Sequence, residues 1–372
     1  METSANTQKG NIEWIDALKV VTMLLVIVGH CTYLSISTPY GGTPYANCPF
    51  GGEHSLSIKA LTFLSTFIYS FHMPLFMSTS GMCLYLSLRK NPTFGQFVKK
   101  KVKRLLIPFL CVTFLYAVPI KYLSGYYVHS PNVIKDILLG QVMLLGNSHL
   151  WYVMSLFEIF LVYYLIERTK VKKGITFWAA LVIASWIGKY IEGHFNLFGL
   201  GAAMKHLLFF AIGYNLFPWL KKMDLPNLRK PALGLFITLL LSGVSLVSNH
   251  LGFAGKGLNY MLLPLSALIG GGSTVLIVKH LCKKIQTFPF YTLFKRNTYG
   301  LYLYSDPLNY PLIYCVFMKF GTSIYVENIS YISLFVLRFL VTTLGAFAVI
   351  FILGRIKRLL EQIRSSFRKS YR

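Results

Sequence analysis

The sequence predicts an all-α, polytopic transmembrane helical bundle of about ten spans, with both termini on the cytosolic side. Three observations carry that prediction. The first is composition: 55% of the 372 residues are hydrophobic and only 13% are charged, with a mean hydropathy of +0.55. A soluble domain of this size carries roughly a quarter charged residues. The second is grouping. Apolar residues fall in blocks such as Val20 to Leu34, Phe236 to Val247 and Leu334 to Leu353, and a helix needs about 20 mostly apolar residues to cross a bilayer. A globular core could not enclose so many blocks while keeping a wet surface. The third is where the cations lie.

The spans are expected at approximately 15–35, 57–77, 105–121, 149–167, 175–191, 197–217, 232–250, 258–278, 299–319 and 331–353. With the N-terminus inside, 28 of the 37 Lys and Arg fall in inside segments and six in outside segments or outer span ends. That asymmetry is the one expected when positive loops stay in the cytoplasm. It also gives the net charge of +25 a topological origin, so nucleic acid is not the expected partner; the lipid bilayer is. The first block ends in Gly29-His30-Cys31-Thr32 with no small-residue cleavage pattern, and reads as a retained span rather than a leader. Six cysteines lack metal or redox spacing and read as small apolar residues. Proline at 74 is expected to break the second helix, since the stretch stays apolar as far as Ser87. The chain divides into a membrane domain, 1–354, and a basic amphipathic tail, 355–372. In the tail Leu359, Leu360, Ile363 and Phe367 share a face suited to the anionic inner leaflet.

Ionisable groups inside spans are costly and are functional candidates by default. In the first span, Lys19 and His30 are eleven positions apart, about 20° from one another around the helix and about 16 Å along it. Asp16 sits one turn below Lys19, placed either to pair with it or to join the chemistry. His72 follows in Phe71-His72-Met73-Pro74-Leu75-Phe76, as a ligand contact or as part of a kinked packing element. Lys101 and Arg104 share a face ahead of Pro108. Guanidinium and ammonium there suit a phosphorylated donor, although any cytosolic loop is basic for topology alone. Trp151 and Tyr152 open the fourth span as anchors or as ligand contacts, with Glu158 two turns on and Lys205-His206 in the sixth span as its expected partner. In the ninth span Tyr304 precedes Ser305-Asp306-Pro307, and Asp306 is expected to pair with Arg338 in the tenth.

In this order the segments resemble acyltransferase family 3, the integral-membrane O-acyltransferases of bacterial surface carbohydrates. The resemblance covers nearly the whole chain. It rests on Ile15-Asp16-Ala17-Leu18-Lys19 with His30, on Phe71 to Phe76 with Ser80-Gly81, and on Lys101-x-x-Arg104 before Pro108. Leu150-Trp151-Tyr152, Phe210 to Gly213, and Tyr299 to Tyr304 echo it more weakly. The resemblance implies transfer of an acyl group, acetyl in the first instance, from cytosolic acetyl-CoA to a hydroxyl of a surface or lipid-linked carbohydrate. It implies a bacterial inner membrane and no metal. His30 takes the place of the family's essential histidine, with Asp16 and Glu158 as further candidate catalytic groups. Lys19, Lys101 and Arg104 are the candidate donor-binding cations, and His72, Trp151, Tyr304 and Asp306 the candidate acceptor contacts. Lys19 and Lys101 stand where the family usually has Arg, and Ser305-Asp306 stand where relatives often have His. An imidazole suits either a general base or a transient acyl carrier, and both roles remain open. The rival reading is a transporter or flippase of sugars or lipid-linked saccharides, which would use the same buried charges. Such folds usually show two related halves, and the sequence shows none. A polymerase or glycosyltransferase would call for larger outer loops than 37–56 and 122–148.

Overall fold

The computed structural model describes residues 2–33, 36–43, 56–169, 171–223, 227–248, 252–320 and 328–370. It is a bundle of helices. They are α1 (Glu2–His30), α2 (Leu56–Leu88), α3 (Phe94–Leu123), α4 (Val133–Ile137, running into a π turn at Leu138–Val142), α5 (Trp151–Arg168) and α6 (Ile175–His194). There follow α7 (Leu200–Lys222), α8 (Arg229–Ser248), α9 (Gly252–Gln286), α10 (Tyr291–Tyr304), α11 (Asn309–Phe320) and α12 (Asn328–Ser370). The strands among the described residues are a two-residue hairpin, β1 (Ser37–Thr38) against β2 (Gly41–Gly42).

Every expected span falls on a helix, and the differences have physical causes. The first ends at His30, five residues early; of the remainder, 34 and 35 lie outside the described residues, as do 249 and 250 of the seventh. α2 runs unbroken through Pro74 to Leu88, against the expected break. Inside a bundle, neighbouring side chains re-satisfy the backbone that proline frees. The ninth span is split: α10 stops at Tyr304, a 3₁₀ turn covers Asp306–Leu308, and α11 resumes at Asn309. Among the described residues, seven helical segments are long and apolar enough to cross a membrane. α1, α5 and the α10–α11 pair fall outside that set, and they are the ones carrying Asp16, Lys19, Glu158 and Asp306. The last helix continues from Asn328 to Ser370 without interruption, leaving Leu359, Leu360 and Ile363 exposed; the side chain of Phe367 lies outside those described. Residues 44–55 of the first outer loop also lie outside.

α1 runs through the middle. Ala17, Leu18, Thr22 and Met23, which point in different directions around the helix, are all fully buried, as expected of a helix enclosed on every side. α2 and α7 lie backbone to backbone. A Cβ on Gly213 would come within 2.0 Å of the Ser78 carbonyl oxygen, and one on Gly81 within 2.2 Å of that of Phe210. Ser78 Oγ donates to the Phe209 carbonyl at 2.8 Å across the same seam. Small residues at such a seam give the close approach that drives association in lipid. α3 contains two π turns, Val102–Leu106 and Thr113–Ala117, each ending just before a proline, Pro108 and Pro119. Proline lacks the N–H that would bond four residues back. The carbonyl so freed by Pro108, that of Arg104, accepts instead from the Tyr299 hydroxyl at 2.9 Å.

The helix ends that carry most of the cations gather together. Lys295 meets Asp16 at 3.0 Å, Arg168 Nη2 donates to the Pro92 carbonyl at 2.6 Å, and Lys279 donates to the Leu220 carbonyl at 2.5 Å. His30, Tyr126, Asn147 and Tyr310 belong to the opposite half.

Candidate active site

Two cavities lie along α1. The first opens at the basic end and encloses about 380 Å³. Lys19, Lys101 and Arg104 all line it, because α1 and α3 both pass its rim. The π turn that begins at Val102 widens the helix between the two α3 cations, a distortion often found at functional sites. The Lys101 ammonium rests 3.1 Å from the centroid of the Phe160 ring, a cation–π contact that holds it over the opening. Asp16 bridges Lys19 and Lys295, 3.0 Å from each, and so fixes the Lys19 ammonium. The inner wall is aromatic: Phe76, Tyr152 and Tyr302. The Phe76 and Tyr152 rings meet edge-on at 4.6 Å, and Tyr152 and Tyr302 at 5.4 Å. Ser80 Oγ lies 2.7 Å from the Tyr152 hydroxyl, and Tyr302 donates its hydroxyl to the His149 carbonyl.

The second cavity, about 230 Å³, lies past that layer and is lined by His30, Tyr69, His72, Trp151, Lys205 and His206 among others. The two cavities have no lining residue in common among the described residues. His72 is buried with Nδ1 2.9 Å from the Ile68 carbonyl oxygen, and its ring packs edge-on against Tyr69. Trp151 packs edge-on against His206.

The break between α10 and α11 places Asp306 beside the end of α1. Its Oδ1 is 3.2 Å from His30 Nδ1, and its Oδ2 is 3.6 Å from His149 Nδ1. The first lacks the straight geometry of a full hydrogen bond, and the second is longer than one. The Tyr33 hydroxyl donates to Oδ1 at 3.3 Å. Asp306 is 4% exposed, and a carboxylate so enclosed needs these partners. Arg338, 1% exposed, does not pair with Asp306 as the sequence suggests. Its Nη2 donates to the His30 carbonyl at 2.9 Å, its Nη1 to the Tyr33 carbonyl, and its Nε to Asn309 Oδ1 at 2.9 Å. The last carbonyls of a helix lack partners and carry the negative end of its dipole. A guanidinium answers both needs, so Arg338 fixes the residue from which the imidazole projects. Lys121 is fully buried near this cluster, donating to Gln141 Oε1 at 2.9 Å and to the Asn147 carbonyl at 2.5 Å.

The structure thus brings His30 and Asp306 into contact, puts His72 and Trp151 on the His30 cavity, and gathers Lys19, Lys101 and Arg104 on the other. Three candidates lie apart from His30. Asp16 is fourteen residues away on α1, at the basic end. Glu158 lines a separate cavity with Tyr190, His194 and Phe198, and its expected partner Lys205 pairs with Glu192 at 2.6 Å instead. Tyr304 packs edge-on against Tyr116, whose hydroxyl donates to the Tyr304 carbonyl, and lines neither cavity. Sequence reasoning passed over His149 and Tyr33. The signal for His149 was an imidazole opening the fourth span, masked by the anchor reading of its aromatic neighbours.

Neither a curated protein nor a solved structure was found to match the chain. The model of the acyltransferase 3 family, described as an acyltransferase domain, matches residues 12–355. That range takes in α1 with Lys19 and His30, the basic turn of α3 and the Asp306 break. The chain belongs to acyltransferase family 3 and is a multi-pass membrane acyltransferase.

Proposed function

We propose that the protein takes an acyl group, acetyl first, from acyl-CoA at the basic end and delivers it to a carbohydrate hydroxyl at His30, in the cytoplasmic membrane of a bacterium. The observation that carries this reading is the single cavity lined by Lys19, Lys101 and Arg104, with Lys100 beside them, set against the aromatic wall beyond which the His30–Asp306 pair lies. Arg104, Lys101 and Lys19 would neutralise the phosphates of the donor, the arrangement that forked and point-charge cations suit. The positive-inside asymmetry supports a cytosolic mouth. The acyl-bearing arm would then pass the Phe76, Tyr152 and Tyr302 layer, which parts to admit it.

At the far side His30 Nε2 takes the proton from the acceptor hydroxyl as its oxygen attacks the thioester carbon. The C–O bond forms, the C–S bond breaks, and His30 returns the proton to the departing thiolate. Asp306 stabilises the imidazolium between the two steps. The acceptor is a sugar hydroxyl of a surface or lipid-linked carbohydrate, presented in the cavity of Tyr69, Trp151 and His72.

The test uses membranes bearing the protein and labelled acetyl-CoA, with ester formation on carbohydrate as the readout. His30→Ala is expected to abolish transfer while acetyl-CoA still binds. Arg104→Gln is expected to raise the KM for acetyl-CoA roughly tenfold or more, the effect of losing one charge-assisted bond of about 1.5–3 kcal/mol. Undiminished transfer by His30→Ala would remove the imidazole from the reaction.

A further inference from the structure

His149 has no part in the steps above, yet it is 6% exposed and directs its ring at the carboxylate that His30 also faces. Its Nε2 lies 3.1 Å from the Leu303 carbonyl oxygen. A carbonyl can only accept, so Nε2 carries the hydrogen. In a neutral ring Nδ1 would then be a bare lone pair, and it faces Asp306 Oδ2 at 3.6 Å. Two lone pairs so placed in a pocket of low dielectric repel. A proton between them turns the repulsion into attraction.

The other groups facing Asp306 do not supply that proton. Tyr33 donates to Oδ1, the opposite oxygen. Lys121 of α3 lies within electrostatic range of Asp306 and His149, but its ammonium is directed to Gln141 and Asn147. Arg338 of α12 is committed to His30, Tyr33 and Asn309. From α2, Tyr69 and His72 line the cavity with His30.

We infer that His149 is a further positioning residue of the reaction: it holds a proton on Nδ1 facing Asp306 Oδ2, and that charge governs how much negative charge the carboxylate presents to His30. The inference rests on His30 being the proton acceptor. With the proton in place, Asp306 is partly neutralised and His30 remains a free base ready for a hydroxyl. Without it, a full carboxylate would favour the imidazolium form and leave less of His30 free to accept a proton.

The test is a pH titration of the full chain in lipid nanodiscs, reading the ¹⁵N shifts of its nine histidines, with His30 assigned by difference against His30→Gln. His149→Gln keeps a donor for the Leu303 carbonyl but removes the Nδ1 proton, so the His30 midpoint should rise, by about one pH unit for one nearby charge. Asp306→Asn removes the carboxylate, and the midpoint should fall. The low-pH limb of kcat/KM for transfer should follow the same opposite directions. A purely structural role would move neither midpoint, or both the same way, and either result overturns the inference. If Asp306→Asn fails to fold, His149→Gln alone decides. The spectra need no acceptor. A His30→Ala enzyme that still transfers would therefore sink the proton-acceptor role while leaving the coupling to be read directly, and unmoved midpoints with an inactive His30→Ala would sink the coupling alone.

Discussion

At the scale of single residues, the site is held by charges whose partners are set by the fold rather than by spacing along the chain. The rule that ionisable groups in spans are functional picks out His30, Lys19, Asp306 and Arg338 from the sequence. It cannot say who meets whom. Asp306 and Arg338 are both enclosed and of opposite sign, yet the α10–α11 break turns Asp306 toward two imidazoles while Arg338 is taken up by the end of α1. Arg338→Leu leaves three acceptors without a donor, so we expect a loss of about 3 kcal/mol or more, seen as a large fall in Tm in detergent, together with loss of transfer. Arg338→Lys keeps the charge but cannot reach all three acceptors, and should fall between. A Tm for Arg338→Leu equal to wild type would mean the end of α1 is fixed by something else. Lys205 teaches the same lesson. Its pairing with Glu192 follows from the seam where Gly188 and Gly201 bring α6 and α7 together, and no helical periodicity reports that seam.

At the scale of elements, hydropathy located the helices and misjudged those that do chemistry. α1 and α5 fall outside the set of apolar spans because charged residues interrupt them, Asp16 and Lys19 in the one and Glu158, Glu167 and Arg168 in the other, and α10 and α11 because the break leaves each short. The same polarity that makes them useful blurs their ends in sequence. Proline was ambiguous for a related reason. Pro74 leaves α2 unbroken, while Pro108 and Pro119 each follow a π turn, and the residue type alone does not tell the two outcomes apart. The glycine seam between α2 and α7 makes a sharp prediction. Gly213→Val would drive a branched side chain into the Ser78 carbonyl, 2.0 Å from where its Cβ must sit, where the backbone cannot give way. We expect little or no folded protein by size-exclusion chromatography. Gly193→Ala, with no atom within 4 Å of its new Cβ, should leave Tm within about 2 °C of wild type, as surface changes within roughly ±0.5 kcal/mol do. Equal yields of the two variants would show that the seam is looser than its geometry implies.

For the molecule as a whole, the decisive property is which face of the membrane the cation-lined cavity meets, because that determines where the donor comes from. Charge asymmetry in the sequence leads us to expect that end in the cytosol, and the fold gathers the same helix ends around Asp16, Pro92 and Leu220. On that expectation the two cavities would open toward different compartments, with α1 linking them from Lys19 to His30, about 16 Å apart along its axis. Cysteine labelling tests this directly in a background without the native thiols. Lys172→Cys, between α5 and α6 at the basic end, should react with a membrane-impermeant maleimide in inverted vesicles and stay protected in intact cells. His129→Cys, after α3 at the opposite end, should show the reverse. Both positions are exposed, so reactivity reports the side rather than burial. If Lys172→Cys reacts in intact cells instead, a cytosolic thioester could not reach Arg104, and the donor would have to be a compound found outside the membrane.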